Sequence, residues 1–380
     1  MTLTGISWDH PRGHAPLVAS SQLYEQLTGV RVEWQKRSLA EFGDQSLAEL
    51  AQSYDLLIID HPHVGAASIS NCILPLDEFL PASTLEDLSN QSAGPSFSSY
   101  RYGARQWAIP VDAAVQSACL RPDLMTSDLI PKSWDDVFEL GGMLKKHGRY
   151  IAMALCPTDC LCSFLSISAQ LGSPVREENE LLVDVNIGLR TLELLRKMRD
   201  HFHADSLEWN PIQLFDHMSS SDHLAYAPLA FCYSNYSRES FRKNKLIYVS
   251  PPGRENTVLG GAGIAVSAKT KHPKESTLFA GWIGSGDIQR TVYLASGGQP
   301  ANFVAWGSEA ANELTNHFFL NLSYTIKNAF VRPRNSGWPS FQTHLGETVH
   351  AFLSRDAEPR SVLSELQEAY FLSRKNFKTP

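Results

Sequence analysis

Within this 380-residue chain, the side chains best equipped for chemistry gather in a few short polar loops. Trp8, Asp9, His10 and Arg12 put an indole plane, a carboxylate, an imidazole and a guanidinium side by side, stiffened by Pro11. Asp60, His61 and His63 form a second such group around Pro62, and Phe231 to Arg238 supplies Tyr233 and Asn235 among hydroxyls. Flat rings pack on the C–H faces of a polyhydroxylated solute, while charged and amide groups hydrogen-bond to its edges in forked geometry. Trp8 and Tyr233 are therefore candidate platforms, with Tyr226 leading into the second of them. Asp9, His10, Arg12, His61, His63 and Asn235 are candidate grips, and Gln299, in the turn Gly297-Gly-Gln-Pro300, is available to a cleft. Each has a plainer reading: Trp8 as core, Asp9 as a helix cap, His61 and His63 as solvated or backbone-bonded loop residues.

Other chemistries fit the residues less well. Asp60, His61 and His63 are ligand types for zinc or iron, but the Pro-stiffened spacing is not a helix face and no paired ligands follow; no metal site is expected. The run Cys156-x3-Cys160-x-Cys162 lacks the second cysteine pair of a structural zinc site, so these are read as thiols packed where a strand meets a helix. Gly260-Gly-Ala-Gly263 precedes a strand, whereas a dinucleotide fingerprint follows one. No Gly-x-Ser-x-Gly, His-Glu-x-x-His or P-loop occurs, so no catalytic residue and no cofactor is assigned. An acid–base pair in a cleft is the enzymatic alternative. Arg332-Pro-Arg-Asn-Ser-Gly-Trp338 adds guanidinium and indole groups that periodicity does not place.

The elements that must position these loops alternate. Ile6 to Trp8 is predicted as a strand, Ala15 to Thr28 as a helix closed by Gly29, Val30 to Trp34 as a strand, and Leu39 to Ser53 as a helix. Tyr54 to Asp60 reads as a strand buried on both faces. Strand and helix in alternation predict parallel βαβ units, whose ligands meet the carboxyl ends of the strands. Beyond residue 103 follow a strand through Ala113, a helix capped by Ser133, a strand over 150–155, helices over 161–171 and 181–201, strands at 224–231, 247–249 and 259–267, a helix over 275–285 and a helical tail from 312.

Composition sets the outer bounds. With 43% hydrophobic and 19% charged residues the chain is globular, and its length suits two to three domains. The net charge of −7 offers no positive field for nucleic acid. Leu56 to Ile59 is the strongest unbroken aliphatic run, far short of a membrane span. Residues 1–12 show no basic leader with an apolar stretch, so on its residues alone the chain is expected in the cytoplasm.

Several short segments, in order, carry a resemblance. Leu27-Thr-Gly-Val-Arg-Val32, Tyr54-Asp-Leu-Leu57, Leu74-Pro-Leu-Asp77, Trp107-Ala-Ile-Pro-Val-Asp112, Pro131-Lys-Ser-Trp-Asp-Asp136, Leu259 to Ser267 and Gly297-Gly-Gln-Pro300 resemble an ABC-transporter solute-binding protein of the extracellular family 1, carbohydrate type. The resemblance implies an α/β fold of type II with two periplasmic-binding-protein-like lobes and a ligand cleft between them. It implies lobe one at 1–110 plus 266–310 and lobe two at 111–265 plus 311–380, with crossings near 110, 265 and 310. It places Asp112 on a crossing segment, as a ligand contact or a hinge hydrogen bond. It further implies a monomer in the periplasm that captures a small polar solute, a carbohydrate or derivative, and delivers it to a membrane permease. Iron-binding, metal-binding or amine-binding members of the fold, and a cytoplasmic ligand sensor, are the alternatives; Tyr233 and Tyr236 are not the adjacent tyrosines that a ferric site favours.

Overall fold

A computed structural model describes residues 1–375 of the chain; the last five residues assigned above to lobe two lie outside it. Strand β1 (Thr2–Trp8) pairs in parallel with β2 (Arg31–Arg37) along its length and with β3 (Leu56–Ile59) on its other edge. Helix α1 (Pro11–Thr28) joins the first two strands. It begins earlier than periodicity predicts because Pro11 pre-sets the first helical residue and His10 Nδ1 accepts the Arg12 amide at 3.0 Å. Gly29, with φ of 75°, ends it in the left-handed conformation that glycine adopts without strain.

The long strand β4 (Ile109–Leu120) changes partners midway. Ile109 to Val115 pair antiparallel with β8 (Leu259–Val266), which also pairs with β3, whereas Gln116 to Leu120 pair with β6 (Leu224–Phe231) and β7 (Ile247–Val249). Strand β5 (Tyr150–Ile151) lies parallel to β6, giving the order β2-β1-β3-β8-β4-β6-β5 with β7 on β4. This mixed α/β arrangement amounts to two sheets joined through β4 and β8. Gly261 lies at that join, with φ of +116°, and a Cβ there would come within 2.2 Å of the Asp112 carbonyl. Only a glycine lets the two strands approach so closely.

Four apolar clusters pack against the two sheets. Leu56 and Ile58 belong to one cluster, Leu57 and Ile59 to another, which is why β3 is apolar at every position. The second sheet is sandwiched likewise, with Ala118 and Leu120 in one cluster and Val115 and Cys119 in the other. Around it lie α3 (Trp134–Lys145), α4 (Pro157–Gln170), α5 (Val185–His201), α6 (Pro211–Ser220), α8 (Phe318–Asn328), α9 (Trp338–Arg355) and α10 (Pro359–Lys375); α7 (Pro273–Gly284) packs on the first sheet.

Other predicted elements also differ in the structure, among them the strand expected through Ala113, which continues to Leu120. The helix expected over 39–53 is interrupted, with α2 (Leu39–Asp44) closed early and a single turn at Leu47–Leu50. The strand expected over 150–155 stops at Ile151 because the backbone turns inward: the Leu155 amide bonds Ser206 and Trp209 carbonyls, opening α4 toward the join of the sheets. No helix among the described residues is long and apolar enough to cross a membrane.

Candidate functional site

A cavity of about 190 Å³ opens where the strand ends of both sheets converge. The first sheet contributes Trp8 from the end of β1, Leu39, Ala40, Phe42 and Gly43 from α2, and Asp60 after β3. The crossing strands supply Asp112, Ala114, Gly260 and Gly261. From the second sheet come Phe231 and Tyr233 at the end of β6, with the first residues of α4 and α6. Trp8 packs against Phe42 with ring centroids 5.1 Å apart and planes tilted by 40°. Its indole lies over the first turn of α1, where a Cβ at Gly13 would sit 2.2 Å from the ring.

Arg12 ties these elements together. Its Nε and Nη2 donate to Asp112 Oδ2 and Oδ1 at 2.7 and 2.5 Å, its Nη1 donates to the Cys232 carbonyl at 2.8 Å, and its guanidinium lies 4.4 Å from the centre of the Tyr233 ring. One side chain on α1 thus holds the crossing strand and the end of β6 at once. Both members of the pair are buried. Burial opposes charge on Arg12, yet the Asp112 carboxylate raises its pKa above the ordinary value; burial raises the Asp112 carboxyl, with Arg12 opposing. Tyr233 is pushed up to about 12 by burial and remains a neutral phenol.

A second ion pair also lines the cavity. Arg332 Nη2 donates to both Asp60 oxygens at 2.9 and 2.6 Å. Burial works against ionisation of Asp60, but Arg332 and His61 hold its carboxyl well below the usual range. The segment carrying Arg332 crosses to the first sheet and is held there by Arg334 Nη1, which donates to the Ser98 and Arg101 carbonyls at 2.9 and 2.8 Å.

The start of α4 forms the third wall. Cys156 Sγ donates to Asp159 Oδ2 at 3.1 Å, and Asp159, though on the cavity, is 4% exposed. Burial pushes the Asp159 carboxyl up to about 7, the thiol contact opposing. Burial and the neighbouring carboxylate also raise Cys156, keeping it a thiol and a poor nucleophile. Cys162, pushed up to about 12 by burial, is equally inert. All six cysteines are free.

Of the residues singled out from the sequence, the structure brings Trp8, Arg12, Asp112 and Tyr233 to the cavity wall. Asp9 faces outward and pairs with Lys36 at 2.9 Å. His10 is buried behind the wall, edge-on to Tyr233, with burial and Arg12 lowering its pKa to about 3. His61 is buried beside Asp60, its pKa lowered to about 4 by burial and Arg332, and His63 Nε2 lies 2.9 Å from the Gly43 carbonyl. Tyr226 sits within the apolar cluster on the second sheet. Asn235 Nδ2 donates to the Gly297 carbonyl at 3.0 Å; Gln299 accepts the Ser234 amide at 2.8 Å and donates to the Ala113 carbonyl at 2.7 Å. Asn235 therefore braces the turn at 297–300 against the loop after β6, and Gln299 braces it against that loop and the crossing strand. Sequence reasoning passed over Phe42, Asp159 and Phe231, and left Arg332 unplaced. Only Asp159 carried a local signal, as an acidic residue just after Pro157 in a helix's first turn.

Comparisons with known proteins bear on the family and the fold. Residues 20–312 match a family described as bacterial extracellular solute-binding protein. No curated protein sequence matches. Many solved structures do, among them a maltose-bound MalE3 from T. maritima, 16% identical, with a TM-score of 0.83 over 98% of this chain and 99% of that one. An ABC-transporter solute-binding protein from Agrobacterium radiobacter in complex with ribitol is 18% identical, with a TM-score of 0.82 over 98% of each chain. A third, from Thermotoga lettingae and bound to α-D-tagatose, is 15% identical, with a TM-score of 0.80 over 98% of this chain and 99% of that one. At such identities the likeness establishes the fold, a two-lobe α/β architecture of the periplasmic-binding-protein type.

Proposed function

The chain belongs to the bacterial extracellular solute-binding proteins, and we propose that within that family it captures a small polar solute, a sugar or polyol, for an ABC importer. The family places such proteins in the periplasm or outside the cell; we assign this one to the periplasm. The observation that carries the reading is the cavity itself, walled by groups from both sheets and roofed by aromatic planes beside two fixed ion pairs. Its volume corresponds to on the order of six waters, which suits one sugar ring or a short polyol. The solutes in two of the compared structures, ribitol and tagatose, are of that size.

The mechanism is closure. Each lobe supplies part of the wall, so a solute that touches both favours the closed arrangement by its differential affinity. We propose hinge crossings where β4 exchanges β8 for β6 between Asp112 and Gln116, where β8 shifts register at Ala262 and Gly263, and near Gln299 to Asn302. The last is nearer 300 than the 310 expected from sequence, since Ala301 and Trp306 share a cluster with Tyr248 of the second sheet. Lobe one is then 1–112 with 263–299, and lobe two the remainder. The closed protein, a monomer, presents both lobes to a membrane permease. Nucleic acid is not a partner, and the solute leaves unchanged, since the one thiol on the wall with a carboxylate neighbour is held protonated.

The test is a thermal-shift screen of neutral sugars and polyols followed by isothermal titration and mass analysis. A matching solute raises the melting temperature by mass action, binds one per chain and is recovered intact. Turnover of a stabilising compound, or stabilisation by metal ions alone, contradicts the reading.

A further inference from the structure

Two of the three carboxylates on the cavity wall are answered within the protein, Asp112 by Arg12 and Asp60 by Arg332. The third is not. Among the described residues no cation stands within ion-pair distance of Asp159, and its one side-chain donor is the Cys156 thiol. At 4% exposure it has little water to offset a charge. With two cations and three carboxyl groups lining the cavity, one carboxyl group is left without a cation to pair with.

We propose that the solute supplies it: the protein selects a sugar or polyol carrying a protonated amine, seated against Asp159, over the neutral compound of the same shape. This rests on the solute-binding reading and narrows its substrate class. The rest of the cavity suits a cation. Trp8, Phe42, Phe231 and Tyr233 line it, and ring faces attract positive charge; the guanidinium of Arg12 on Tyr233 is an example already present. Asp159 is the third residue of the fourteen-residue helix α4, where the helix dipole favours a carboxylate once a partner offsets its burial. Burial pushes its carboxyl up to about 7 without a partner, so seating an ammonium group there displaces the acid proton to solvent and leaves a carboxylate–ammonium pair.

The experiment is isothermal titration of the whole protein with matched pairs: glucosamine and glucose, galactosamine and galactose, glucamine and sorbitol, with N-acetylglucosamine as a neutral control of similar bulk. In at least one pair the amine is expected to bind about tenfold tighter or better at neutral pH. Near about pH 6 its apparent heat is expected to vary with the buffer's ionisation enthalpy, reporting proton release. Asp159→Asn should abolish both the preference and the proton release, and a melting transition at or above that of wild type at neutral pH shows that the variant is folded. If the neutral member binds as tightly in every pair that binds, or if the preference survives in Asp159→Asn, the amine inference is overturned and solute binding stands. If no member of any pair binds while a neutral sugar or polyol from the wider screen does, the amine inference is overturned and solute binding stands; if nothing in either set binds, both are contradicted.

Discussion

Replacing Asp112 with alanine removes one half of the buried pair that joins α1 to the crossing strand. Arg12 then keeps its bond to the Cys232 carbonyl and its place on Tyr233, but loses both carboxylate contacts, at 2.7 and 2.5 Å. Its side chain is 4% exposed, so water cannot take over. Breaking a buried pair by deleting one partner costs about 3–5 kcal/mol, mostly because the survivor is left charged and unpaired. At about 2–4 °C per kcal/mol for a lobe of this size, melting should fall by on the order of 10 °C. The double variant Arg12→Met with Asp112→Leu removes both charges, and should recover most of that loss while binding no solute. Urea unfolding of wild type, Arg12→Met, Asp112→Leu and the double variant closes a cycle that gives the coupling energy directly. A loss below about 1 kcal/mol for Asp112→Ala, the scale of an exposed pair, refutes the account of Arg12 as a buried clasp.

Further outcomes follow from the same geometry. Because the folded Asp159 carboxyl sits near about 7, above the ordinary 3.8, its contribution to stability is present at acid pH and is lost as pH rises through 7. Asp159→Asn should therefore stabilise the ligand-free protein progressively from about pH 4 to about pH 7, by up to a few kcal/mol, and level off above that, in melting curves across the range. Gly261→Ala should cost about 2 kcal/mol or more in chemical unfolding, since a Cβ meets the Asp112 carbonyl at 2.2 Å at a φ of +116°. Asp9→Ala removes only an exposed pair with Lys36, so it should change stability by less than about 0.5 kcal/mol and leave solute titrations unaltered.

How much was legible in the sequence depends on how local the cause is. The parallel start of the fold was, because Leu56 to Ile59 must be buried on both faces and Gly29 and Ser133 mark helix ends by their own chemistry. Trp8, Arg12 and Tyr233 were found at the cavity because loops at strand ends meet ligands in such sheets. Their roles were not: whether Arg12 grips a solute or Asp112 depends on a residue 100 positions away. Asn235 and Gln299 have the donors and acceptors of a ligand fork and spend them on backbone groups, a choice set by the close passage of the 297–300 turn. Arg332 reaches Asp60 across 272 positions, a contact that no periodicity announces. Asp159 is informative for the opposite reason, since what matters there is a cation that none of the described residues supplies.

The most direct test of binding at this cavity uses Thr158, an exposed residue on its rim. Thr158→Trp should fill the opening without disturbing any buried contact, so its melting temperature without solute should match wild type. Titrated with the strongest solute from the screen, wild type is expected to bind one equivalent and the variant none. Equal affinity in the two proteins would place the solute elsewhere and contradict the assignment of this cavity as the binding site.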